Sequence, residues 1–95
     1  MDWQTHIAKS MPAVVALRHR LHQIPELAYQ EFKTAAMIRA ELDRLGLEYT
    51  AGVIGAPTAT ITLIGDPTKP CIAFRADIDA LPIPEQTGLA YASTH

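Results

Sequence analysis

The sequence predicts an α/β chain in which two helices precede three strands of a mixed sheet. Apolar residues recur three or four apart from Trp3 to Leu21 and again from Phe32 to Leu45, and the period then changes to two at Thr58. The links between the later segments are short and rich in glycine and proline. A helix repeats about every 3.6 residues and a strand every two, so a change of period marks a change of element.

In the first helical stretch, Ile7, Met11, Val14, Val15 and Leu21 form one apolar stripe, which predicts one packed face and one wet face. Pro12 lacks a backbone donor, so the stretch is read as two segments meeting there, or as one kinked helix. Pro25 disfavours the helical region for Ile24 and predicts an end near Gln23. The second helix has Phe32, Ala35, Ile38, Leu42 and Leu45 on its stripe, with Lys33, Glu41 and Arg44 off it. Gly46 is placed to close it as a left-handed cap.

A strand is expected from Glu48 to Ile54, joined by Gly55, Ala56 and Pro57 to a second in which threonines 58, 60 and 62 alternate with Ala59, Ile61 and Leu63. That alternation predicts a strand with one wet face. After the turn-forming residues Gly65 to Pro70, the run Cys71 to Ala76 is apolar on both faces until Arg75 and predicts a third strand. Links this short join antiparallel neighbours, because a parallel pair needs a crossover of a dozen or more residues. The helices then cover one face of the sheet, and nothing in the chain covers the other.

Composition excludes several classes. Apolar residues make up 48% and charged residues 19%, a globular balance without low-complexity or collagen-like character. The net charge is −2, and the eight Lys and Arg are scattered apart from Arg18 and Arg20, so nucleic acid is not an expected partner. The early apolar run Met11 to Leu17 is too short and too interrupted for a membrane span or a signal peptide. One cysteine allows no internal disulfide, and a cytoplasmic location is expected.

The candidate chemistry centres on CIAFRADIDALP, residues 71–82. If the strand continues through them, Asp77 and Asp79 point to one side at a strand end, a place where α/β proteins bind ligands. Two carboxylates there hold a cation, orient a histidine, or act as acid and base; equally, they cap the turn or pair with Arg75. His19 and His22 share a helix face at a spacing that suits a metal, although Arg18 and Arg20 flank it and His22 is also placed to fix the helix end. Cys71 and most aromatics are expected in the core. The glycines at 52 and 55 lack the strand, Gly-rich turn and helix order of a phosphate cradle.

Two longer blocks, RHRLHQIPELAYQEFKT (residues 18–34) and FRADIDALPIPEQTGLAYAST (residues 74–94), closely resemble the start of the metal-dependent amidohydrolases. That family, of the aminoacylase and carboxypeptidase type of zinc peptidases, includes hippurate hydrolase, indole-acetyl-amino-acid hydrolases and N-acyl-amino-acid deacetylases. The resemblance implies that residues 1–95 are an incomplete N-terminal part of a zinc-peptidase-like catalytic domain, without the family's lid and dimerisation domain. It further implies hydrolysis of N-acyl amino acids by a water that two divalent metals (zinc, manganese, cobalt or nickel) activate, in a homodimeric enzyme.

By that resemblance, Asp79 stands where an aspartate orients a metal-bound histidine, and Asp77 stands at the histidine's own place. The family's Cys-Gly-His-Asp-Gly-His cluster, its paired glutamates and its later histidine have no counterpart in the sequence, and His95 matches a loop position ahead of that cluster. The chain alone is therefore expected neither to bind the metal pair nor to turn over substrate. The competing expectation is a non-catalytic α/β module whose open sheet edge serves as an interaction surface.

Overall fold

The computed structural model describes residues 2–93, with Ile54 described in its backbone only. Helix α1 (Trp3–His22) and helix α2 (Phe32–Arg44) precede strands β1 (Tyr49–Ala51) and β2 (Thr60–Thr62), with a short 3-10 turn at Val53–Gly55. The chain divides into two compact units, residues 1–25 with 83–95, and residues 26–82.

In the first unit, α1 begins at Asp2, whose carboxylate accepts hydrogen bonds from the amides of Gln4 and Thr5 at 3.0 and 3.4 Å and so satisfies donors a helix start leaves free. The helix runs through Pro12 as a single element, so of the two readings the division into two segments is not the one realised. Proline removes one donor, the partner of the Ala8 carbonyl, and Ala8 is exposed, so the orphaned acceptor is open to solvent. The helix ends at His22 with Gln23 as its cap, as the following proline requires.

The apolar stripe of α1 is present but does not pack as expected. Trp3 is 70% exposed and Ile7 58%, with Met11, Val14 and Val15 exposed beside them. Only the last turns, at Leu17, His19, Leu21 and His22, are half-buried.

The second unit holds α2 and the hairpin. Helix α2 starts after Glu31, whose side chain makes no cap bond. Glu26, five residues earlier, caps it instead: its carboxylate accepts the Thr34 amide and hydroxyl, each at 2.6 Å, and the Lys33 amide at 3.1 Å. At the other end, the Gly46 amide donates to the Asp43 carbonyl at 3.0 Å and the Leu47 amide to Leu42 at 2.9 Å, a Schellman closure with Gly46 at φ 72°. Gly46→Ala forces a Cβ into the left-handed region and is expected to lower stability by about 1 kcal/mol, read from the midpoint of urea unfolding.

Strands β1 and β2 pair antiparallel, with Tyr49 opposite Thr62, Thr50 opposite Ile61 and Ala51 opposite Thr60. Both are shorter than the periodicity suggested. Arg39 docks α2 on the hairpin connection, donating to Thr60 Oγ1 at 2.9 Å and to the carbonyls of Pro57 and Ala59 at 3.1 and 2.9 Å. The hairpin is consequently drawn inward at Thr58 and Thr60, while Thr62 is exposed. Thr58 is buried at 4% exposure and Thr60 half-buried, while Ile61 and Leu63 are 55% and 52% exposed. Hydrogen bonds to Arg39 and Glu31 hold those two threonines there.

The third strand, Cys71 to Ala76, is not formed among the described residues, and the sheet has two strands where three were expected. A run that is apolar on both faces suits a central strand, which needs a neighbour at each edge and cover above and below. No such cover is at hand in the described chain: Phe74 is 95% exposed, Ile72 85%, and Cys71, expected in the core, carries an exposed thiol. Ala35, at 1%, is the buried apolar side chain in the described chain, beside the buried polar residues Glu31, Thr34 and Thr58.

Candidate functional site

Asp77 and Asp79 lie in the second unit, on the wall of a cleft of about 660 Å³ that also takes in Tyr29, Glu31, Thr58 and Arg75. Because residues 71–79 are not a strand, no pleat sets the direction of the two aspartates. The segment is held instead just beyond them, where the Ala80 amide donates to the Glu26 carbonyl at 2.7 Å. The residue that caps α2 with its side chain thus anchors the aspartate loop with its backbone.

The two aspartates differ in surroundings. Asp77 Oδ1 pairs with the Arg75 guanidinium at 2.8 Å, and both side chains are well exposed, so the pair contributes little to stability. Asp79 is exposed, with no hydrogen bond to another described residue.

Glu31 is the buried carboxylate of the cleft. Its Oε2 accepts the Thr58 hydroxyl at 3.3 Å, while its Oε1 has no donor among the described residues. Glu26 is tuned by two opposed effects. Partial burial pushes its carboxyl up, but the Thr34 hydroxyl and amide, the Lys33 amide and the Lys33 charge together hold it below its ordinary value of 4.5.

The histidines belong to the first unit. His19 stacks on Tyr91, with ring centroids 3.7 Å apart and planes 7° from parallel, and the Arg18 guanidinium carbon lies 5.5 Å from the same ring. His22 meets Tyr91 edge-on at 5.8 Å, and its Nε2 pairs with the Glu85 carboxylate. Glu85 in turn accepts the Thr87 hydroxyl and, at 3.1 Å, the Ser93 amide; the Thr87 hydroxyl first, and the Ser93 amide with it, hold its carboxyl below the usual range. The shared helix face read from the spacing therefore exists, and it fastens residues 85–93 to the end of α1. His95 lies outside the described residues.

Among the described residues, no group of three or more His, Cys, Asp or Glu side chains is arranged to hold a metal ion. No helix of the described chain is long and apolar enough to cross a membrane.

Sequence inspection missed Glu31, Thr58 and Arg39. One signal was available: Glu31 precedes Phe32 at a helix start without being a good cap, which calls for a capping group from elsewhere and leaves Glu31 free for another contact.

Comparison with known proteins gives the site its context. No protein-family model and no solved structure match the chain. Curated relatives do. N-acetyl-L-cysteine deacetylase of Bacillus subtilis (strain 168) is 45% identical over 87 residues, covering 86% of this chain and 20% of the relative. Thermostable carboxypeptidase 1 of Saccharolobus solfataricus is 40% identical over 81 residues, 84% of this chain and 20% of the relative. IAA-amino acid hydrolase ILR1-like 5 of Arabidopsis thaliana is 43% identical over 72 residues, 76% of this chain and 16% of the relative.

These relatives are deacetylases, carboxypeptidases and amino-acid-conjugate hydrolases, and their names define a class of hydrolases. The chain is similar over most of its length to that class, the deacetylases, carboxypeptidases and IAA-amino acid hydrolases of the amidohydrolase family, and it spans about a fifth of the length of the relatives it matches.

Proposed function

We propose that this chain is the opening part of an amidohydrolase that cleaves the amide bond of N-acyl amino acids. The observation that carries the reading is the 45% identity to a deacetylase of N-acetyl-L-cysteine, supported by 41% identity to an N-acetyldiaminopimelate deacetylase. In the complete enzyme, divalent metals held by residues outside this chain would supply the activated water. Asp79 is the residue of this chain proposed to serve that centre, as an orienting carboxylate; Asp77, occupied by Arg75, is the lesser candidate. The complete enzyme is proposed to be a cytoplasmic homodimer acting on a small-molecule substrate.

A second reading is favoured by the exposed stripe Trp3, Ile7, Met11 and Val14: a non-catalytic module that presents this face to another protein. One experiment separates the two. In a chimera, these 95 residues replace the matching fifth of the B. subtilis deacetylase. The chimera is expected to hydrolyse N-acetyl amino acids with zinc or manganese, whereas the 95-residue chain alone gives no turnover above a metal-only blank. A soluble, folded chimera without activity would refute the hydrolase reading.

A further inference from the structure

The cleft that holds Asp79 has a second charged feature, in the opposite state of burial. Glu31 is only 8% exposed, and one of its carboxylate oxygens has no donor among the described residues. A buried carboxylate oxygen left without a donor is costly, and two cations of this unit, Arg39 and Arg75, are already engaged. Arg39 is spent on Thr60 and the carbonyls of Pro57 and Ala59, and Arg75 is held by Asp77.

With Arg75 and Asp77 neutralising each other, the charges left in the cleft wall are the carboxylates of Glu31 and Asp79. The lining includes Tyr29, a bulky residue at φ 67°, where the left-handed region favours glycine. Such a conformation persists where its surroundings over-determine it.

A net-negative cleft with a buried, donor-starved oxygen suits a cation that brings its own N–H groups. A metal ion is the poorer match, because the acidic side chains are not grouped as ligands among the described residues. The terminal torsion of a glutamate is broad, so the unpaired oxygen turns towards an entering donor without leaving a rotamer well.

We propose that this cleft binds an organic cation, a primary ammonium or guanidinium group, with Glu31 as the charged acceptor and Asp79 as a second anion on the same wall. The recognition is by charge-assisted hydrogen bonds, the strong kind. It does not depend on the hydrolytic reading, since both carboxylates belong to this chain and no reaction is involved.

The test is an NMR titration of the 95-residue protein with n-butylammonium chloride, against tetramethylammonium chloride at equal ionic strength. The second salt carries the same charge but no N–H donor. Saturable shifts at the amides of Tyr29, Glu31 and Thr58 are expected with n-butylammonium, and binding of tetramethylammonium at least about tenfold weaker. Glu31→Gln, which keeps the side chain's size, is expected to weaken n-butylammonium binding about tenfold, and Asp79→Asn, at an exposed position, to weaken it less. Equal response to the two salts, no saturation, or wild-type affinity in folded Glu31→Gln would overturn the proposal. Were Glu31→Gln unfolded, the comparison of the two salts on the unaltered protein decides it.

Discussion

Glu26→Ala is expected to destabilise the second unit by about 2 kcal/mol, a large share of what so short a chain has to lose. Three hydrogen bonds to the start of α2 disappear with the carboxylate, two from Thr34 and one from Lys33. Glu31 cannot stand in, because its own side chain makes no cap bond. The first turn of α2 frays, and with it the wall that holds Glu31 against Thr58.

The same contact makes stability depend on acid. The folded Glu26 carboxyl titrates below its ordinary value of 4.5, so its contribution is fully present above that value and is lost as pH falls through the lower, folded one. Urea unfolding followed by circular dichroism at pH 7 and at pH 3 reads both effects. The parent protein loses stability between the two, and the variant loses less. An unchanged unfolding midpoint at pH 7 would show that the cap is not made.

Asp79→Ala in the active chimera is expected to lower kcat by 10- to 100-fold while leaving KM within about threefold, the signature of a residue that acts by orienting another group. Asp77→Ala should have a smaller effect, since that carboxylate is engaged by Arg75 at an exposed position. Steady-state kinetics with N-acetyl-L-cysteine on both variants measures the difference. Equal losses at the two positions, or none at Asp79, would remove Asp79 from its proposed role.

What was legible in the sequence was what depends on near neighbours. The stop at Gln23, the stripe of α2, the closure at Gly46 and the antiparallel hairpin each rest on residues a few positions apart. Which face of the hairpin turns inward was not legible, because alternation reports two faces without saying which is inward. Arg39, some twenty residues upstream, draws Thr60 inward. The third strand was misread for a related reason: a both-face apolar run states what a strand needs, and the described chain does not supply it. For the site, Asp77 and Asp79 could be picked out by composition at a segment end, whereas Glu31 and Thr58, 27 positions apart, meet only through the fold.

Phe74 and Ile72 have a consequence for biosynthesis. In a polypeptide as long as the relatives, four-fifths of the chain is still to be made when these residues leave the ribosome. At roughly 5–20 residues per second that takes tens of seconds, during which an uncovered strand-forming segment is open to misassociation. The yield of such a chain should fall at high expression rates before its activity does.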